Sequence, residues 1–235
     1  MKNINDNTDD HGILSVVATP IGNLSDITYR AVEILRQADI ILCEDTRMTK
    51  RLLSHLDIQD KQLSAYNEQK SGASIQKITD WLSEGKHITL VTDAGTPGIS
   101  DPGSILVGHI RKNSPHTIIQ AIPGPSALVS ALSISGISIH DFTFLGFLPH
   151  KKGRETLFKE IAEAKRPYVF YESPHRIIKA LESLKKFAPK KNVTIARELT
   201  KIHEEVVSGT AEELLQFFDD NKEKVRGEIV VIISN

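Results

Sequence analysis

The sequence predicts an α/β protein built as two tandem α/β domains, each a sheet flanked by helices. Three observations predict it. Short β-branched apolar runs alternate with stretches of helical apolar spacing along nearly the whole chain. That rhythm is broken once, by the Pro/Gly-rich "IPGPSA" at 122–127, and then resumes. The 235 residues, 40% hydrophobic and 25% charged, suit one large domain or two small ones. The expected boundaries are a disordered polar tail at 1–12, an N-terminal α/β domain at 13–121, an interdomain loop at 122–127 and a C-terminal α/β domain at 128–235.

The elements follow in order. "ILSVVA" (13–18) reads as the first strand. After Pro20 and Gly22, "SDITYRAVEILRQ" carries Ile27, Ala31, Ile34 and Leu35 at helical spacing, with a polar helix start at Ser25 or Asp26. "DIILC" (39–43) is a second strand, "MTKRLLSHL" a helix, 62–66 a short strand, and 75–82 a helix. "HITLV" (87–91) leads into "VTDAGTPGISDPG" (91–103), a helix near 102–111 and the strand "HTIIQAI" (116–122). Beyond the break come "FTFLGFL", a helix after Gly153, "PYVFYE" (167–172), a helix from Pro174, "VTIAREL" (193–199), a helix from Thr210 and "EIVVII" (228–233). Thr210 and Glu213 have capping-box spacing. The strand–helix–strand rhythm predicts parallel sheets.

The totals exclude several classes. A formal net charge of −1 gives no global pull toward nucleic acid or membrane, so a nucleic-acid partner needs a local basic patch. The single cysteine, Cys43, forbids an intrachain disulfide and points to a reducing, cytoplasmic compartment; it closes an apolar run and reads as a core residue. No run approaches the ~20 apolar residues of a membrane span, so the chain reads as soluble. The P-loop, G-x-G-x-x-G, H-E-x-x-H, G-x-S-x-G and paired-cysteine patterns do not occur, and no metal is expected.

Several apolar runs end in acids: Glu44 and Asp45, Asp93, Glu172, and Glu198. Strand carboxyl ends face the ligand crevice in parallel α/β sheets, so carboxylates would collect along one edge. Such an edge suits a cation, sugar hydroxyls or a metal better than a triphosphate. In 91–103, Gly95, Gly98 and Gly103 permit positive φ and close approach of a ligand, while Pro97 and Pro102 stiffen the loop. Asp101 before Pro102 is expected to cap the next helix. Asp93 has no such local duty. "HKKGR" (150–154) reads equally as a phosphate-binding turn or a solvated charge run.

Taken together, "TPIGNLSDIT", "EDTR", "DAGTPGISDPG", "PGPSA", "GFLP", "YESPHR", "ARELTK" and "GEIVVII" closely resemble the bacterial 16S rRNA cytidine 2′-O-methyltransferase family of the tetrapyrrole methylase (class III) superfamily. The match runs from about Ile13 to the end. The resemblance implies S-adenosylmethionine (SAM) in a cleft between the two domains and a homodimer. It also implies methyl transfer to the ribose of a cytidine in the decoding region of 16S rRNA in the 30S subunit, with no DNA or membrane partner. By position it implies SAM contacts from Pro20, Gly22, Asn23, Asp93, Ala94, Gly95, Thr96, Pro97, Pro123, Gly124, Ser126, Ala127, Tyr171, Ala196 and Arg197. For proton handling the candidates are Asp45 and Lys201, with Glu172 and Glu198 beside them. For rRNA they are Arg47, Lys151, Lys152, Arg154 and Arg176. The family commonly continues past the last strand into a helical segment that this sequence lacks. The alternatives are a corrin or porphyrin C-methyltransferase, disfavoured by "EDTR" and "ARELTK", and a catalytically silent SAM-sensing RNA-binding module.

Overall fold

The structure, a computed structural model, describes residues 11–68, 71–149 and 152–235. The chain divides into two compact units, the first ending at Ser126 and the second running Ala127–Asn235.

The first unit holds strands β1 (Ile13–Val17), β2 (Ile40–Cys43), β3 (Gln62–Ala65), β4 (His87–Leu90) and β5 (Ile118–Ile122). They form one parallel sheet in the order β3-β2-β4-β1-β5. Between them run α1 (Tyr29–Gln37), α2 (Thr46–His55), α3 (Ser71–Ser83) and α4 (Ser104–Asn113). The chain steps one way across the sheet through β2 to β3, then back through β4 to β5. Right-handed crossovers therefore lay α1 and α2 on one face and α3 and α4 on the other. Alternate residues of β2 follow suit. Ile40 and Leu42 join a core with Ile78, Leu82, Leu106 and Ile110, while Ile41 and Cys43 join Ala31, Leu35 and Leu53. Burial on both faces is why the central strands β2 and β4 read as apolar runs. Cys43 is buried as expected, and burial pushes its thiol pKa up.

Two helix starts differ from the sequence reading. Residues Leu24–Asp26 form a 3₁₀ turn held by the Ser25 amide donating to the Asn23 side chain, and Ile27 is extended. The helix therefore begins at Tyr29, capped by Thr28 accepting from the Ala31 amide. Further along, α4 does not take Asp101 as its cap. Gly103, at φ +139°, is the N-cap, and a carboxylate from outside the segment serves the first turn.

The second unit holds β6 (Thr143–Phe147), β7 (Tyr168–Glu172), β8 (Asn192–Arg197), β9 (Glu205–Gly209) and β10 (Ile229–Ser234), in the order β6-β7-β10-β8-β9. The expectation of a parallel sheet fails here. Only β6 and β7 pair in parallel; β10 runs antiparallel to both β7 and β8, and β9 antiparallel to β8. Periodicity reports burial, not strand direction, and β9 went unforeseen because its two valines are only half-buried. The reversal preserves one relation: β7 and β8 stay mutually parallel, so both end on the edge where β9 and β10 begin. Helices α5 (Ala127–Ile134), α6 (Arg154–Glu163), α7 (Pro174–Phe187) and α8 (Ala211–Asp220) complete the unit around Phe158, Phe170, Ile177, Ile195 and Val231. The Thr210–Glu213 capping box is formed.

Candidate active site

At the carboxyl edge of the first sheet, neighbouring β2 and β4 lead to helices on opposite faces, which opens a crevice between their ends. A cavity of about 670 Å³ lies there, lined by Glu44 and Asp45 after β2, Tyr66, Asn67 and Glu68 after β3, and Asp93, Ser100 and Asp101 after β4. Its walls are tied together. Thr19 and Gly95 exchange backbone hydrogen bonds of 2.9 and 3.0 Å, joining the connections after β1 and β4. The Thr19 hydroxyl donates to the Thr92 carbonyl (3.0 Å), and the Thr92 hydroxyl donates to Glu44 Oε1 (2.8 Å). The Asp45 amide donates to Asp93 Oδ1 (3.3 Å), and the Thr96 hydroxyl donates to the Pro125 carbonyl (3.2 Å). Pro20, Gly22 and Asn23, the run 93–97, and Pro123, Gly124 and Ser126 thus share one edge. Gly95 sits at φ +86°, a conformation that side-chain-bearing residues rarely adopt. A Cβ on Gly124 would meet the Ala18 Cβ at 3.0 Å.

The acids along this edge have separate fates. Asp45 is the N-cap of α2, accepting from the Arg47 amide (2.8 Å), and it also pairs with the Arg47 guanidinium (2.7 Å). These two bonds hold its carboxyl down at about 2. Glu68 reaches α4, where its Oε1 accepts from the Gly103 amide (2.8 Å), the Ile105 amide (2.9 Å) and the Ser104 hydroxyl (3.3 Å). Burial raises its pKa, but these donors outweigh burial and leave it lowered. Among the described residues no ion pair engages Glu44, Asp93 or Asp101. Asp101 is half-buried, and burial pushes its carboxyl up to about 6, aided by the charges of Glu44 and Asp93 and opposed by the Thr92 hydroxyl. No group of three or more His, Cys, Asp or Glu among the described residues could hold a metal ion.

The second unit's edge is built differently. The Glu172 side chain is fully buried, with Arg154 Nη2 at 3.4 Å and Arg176 Nε at 3.2 Å. Arg176 also donates to the Leu148 and Pro149 carbonyls, so the cluster ties the start of α7 to the end of β6. Glu172, Arg154 and Arg176 were expected to handle protons and rRNA; here they occupy one another. Glu198, at φ +52°, pairs with Lys201 (3.0 Å) and accepts from the Glu228 amide (3.0 Å). A Cβ on Gly227 would lie 2.3 Å from its Oε1, so the close turn there needs glycine. Burial raises the Glu198 pKa, but the Glu228 amide and Lys201 outweigh it and leave the carboxyl lowered. Burial lowers the Lys201 pKa, but Glu198 and Glu228 outweigh it and leave the ammonium raised. Arg197 pairs with Glu205 (2.8 Å) and leaves its Nη1 buried without a hydrogen bond. Ala196 is buried in β8, and Tyr171 packs edge-on against Phe144 and Phe147. Ala127 opens α5, Lys152 is exposed before α6, and Lys151 lies outside the described residues.

Sequence reasoning missed the group after β3 and misassigned Asp101. Glu68 escaped because β3 is half polar, Gln62 and Ser64 alternating with Leu63 and Ala65, and because it lies three residues beyond the strand.

The match to the family model of Tetrapyrrole (Corrin/Porphyrin) Methylases spans residues 14–215. The chain is 43% identical over 223 residues to the Ribosomal RNA small subunit methyltransferase I of Hydrogenobaculum sp., covering 94% of this chain and 95% of that protein. It is 44% identical to the protein of the same name from Thermotoga maritima, covering 95% and 98%, and to that of Halalkalibacterium halodurans, covering 96% and 76%. Among solved structures, a cobalt precorrin-4 methyltransferase of cobalamin biosynthesis aligns with a TM-score of 0.69, covering 99% of this chain and 98% of that one. The uroporphyrin-III C-methyltransferase of Thermus thermophilus aligns at 0.65, covering 95% and 94%. At 14% and 17% identity these two share the fold alone.

Proposed function

The chain belongs to the tetrapyrrole methylase family, and from that membership we propose that it is a SAM-dependent methyltransferase of small-subunit ribosomal RNA, acting on the ribose 2′-oxygen of a decoding-region cytidine. The observation that carries this is the near-full-length identity above 40% to proteins named for that substrate. The cytoplasm, the 30S particle as substrate and a homodimer are parts of the same reading. Among the described residues no helix is long and apolar enough to cross a membrane.

The donor set on the first unit's edge fits the cofactor. Glu44 and Asp93 have no cation beside them among the described residues, and SAM brings a sulfonium and an ammonium. When bound, SAM supplies a methyl group on a positively charged sulfur whose departure leaves a neutral thioether. The chain's part is alignment. The connections at 20–23, 93–97 and 123–127 hold the cofactor chiefly through backbone, and their mutual hydrogen bonds keep that backbone fixed. Glu172 braces Arg154 and Arg176 in place, and among the described candidates Arg47 and Lys152 are the exposed cations that suit rRNA phosphates. Proton acceptance suits neither Asp45, held near 2 by Arg47, nor Lys201, held protonated by Glu198 and Glu228.

The test is to incubate the protein and SAM with 30S subunits lacking the modification and to map ribose methylation. One new 2′-O-methylcytidine in the decoding region is expected. Subunits left unmethylated, or uptake of a porphyrinogen-type macrocycle in their place, would refute the proposal.

A further inference from the structure

The proposed reaction needs a group that takes the proton of the ribose hydroxyl, and the motif residues assigned that task are spent elsewhere. Asp45 caps α2 and binds Arg47, Glu172 sits between two arginines, and Glu198 binds Lys201. Resting on the proposed function, we propose that Asp101 is the proton acceptor for the substrate hydroxyl.

Three features of its position support this. First, Asp101 lines the cavity at the carboxyl edge of the first sheet, beside the 93–97 segment matched to the cofactor. Second, the duty its sequence suggests is done by other groups: Gly103 is the N-cap of α4, and Glu68 accepts from the first-turn donors. The Asp101 carboxylate is therefore free of capping duty and keeps the Thr92 hydroxyl as a hydrogen-bond partner. Third, the side chains facing it make it a better base than an ordinary aspartate. Those are Glu44 after β2 and Asp93 and the Thr92 hydroxyl on its own connection, with Asp45, Tyr66 and Glu68 lining the same cavity; no basic side chain of the described residues lines it. Burial and like charge hold the proton on Asp101 up to about pH 6. Above that it is ionised and still basic enough to take a proton near neutrality.

The step balances. The ribose oxygen forms a bond to the methyl carbon, the carbon–sulfur bond breaks, and its electron pair stays on sulfur as the thioether. The hydroxyl proton passes to the Asp101 carboxylate and from there to solvent.

The experiment compares wild type with Asp101→Asn in three readouts. SAM affinity by calorimetry should stay within a few-fold. Single-turnover methylation of 30S subunits should fall about 100-fold or more, and the rise in rate between pH 5 and 7 should vanish with it. In free protein carrying 13C-labelled aspartate carboxyls, the resonance titrating near pH 6 should be absent from the variant. An unchanged pH–rate profile in Asp101→Asn overturns the inference. So does a loss of SAM affinity that accounts for the whole rate loss, because Asp101 would then hold cofactor rather than accept a proton. Wild-type protein that fails to bind SAM overturns the proposed function first and this inference with it.

Discussion

The two units present the same feature, carboxylates collected where strands end, and treat it in opposite ways. In the second unit Glu172, Glu198 and Glu205 each meet an arginine or lysine. In the first, Glu44, Asp93 and Asp101 meet none among the described residues and open onto a cavity. The contrast separates scaffold from chemistry. A carboxylate that already has its cation inside the protein positions loops; one that lacks it has charge available for a ligand.

Breaking the paired edge should have the largest effect on stability. Glu172→Ala leaves two largely buried guanidinium groups without their carboxylate, and it should cost about 3–5 kcal/mol in chemical denaturation. A loss under 1 kcal/mol would mean the arginines find solvent.

On the open edge, Gly95→Val should act on binding. At φ +86° a β-branched residue is strained by about 1–3 kcal/mol, while its Cβ meets Ile21 only at an ordinary 3.5 Å. The cost should therefore fall on the Thr19–Gly95 bridge and show as SAM affinity reduced about tenfold or more in calorimetry. Near-normal affinity would mean the loop's rigidity serves the fold alone.

A smaller effect reads the open edge through pH. Between the ordinary aspartate value of 3.8 and about 6, the folded protein keeps a proton on Asp101 that the unfolded chain has released. Stability contributed there falls as pH rises across that interval. Asp101→Asn lacks this loss, so its denaturation midpoint should gain on wild type from pH 4 to 7. Parallel curves would place Asp101 in an ordinary solvated setting. Smallest of all, Arg47→Ala removes a pair whose cation is 85% exposed, and the denaturation midpoint should barely move. Its readout is weaker 30S binding at unchanged SAM affinity.

Much of this was legible in the sequence, for particular reasons. The central strands β2 and β4 are buried on both faces and announce themselves as apolar runs, and Glu44 and Asp93 follow at their ends. Thr210 and Glu213 cap locally, so their box could be read three residues apart. What failed was non-local. The acceptor for the first turn of α4 comes from Glu68, 35 residues from Gly103, and nothing near Asp101 betrays that it does not cap the helix. The antiparallel course of β10 is a matter of direction, which alternation does not encode. Neutralisation of Glu172 by Arg154 needs a contact across 18 residues, although its pairing with Arg176 at i+4 could have been suspected.

The central claim is that the unpaired edge of the first unit faces the positive charge that SAM carries on sulfur. It is tested most directly by titrating SAM and its neutral thioether product, S-adenosylhomocysteine, into wild type and Asp93→Asn, an exchange that keeps the acceptor used by the Asp45 amide. The account predicts that the variant loses several-fold more affinity for SAM than for the thioether. Equal losses for both ligands, or none, would contradict it.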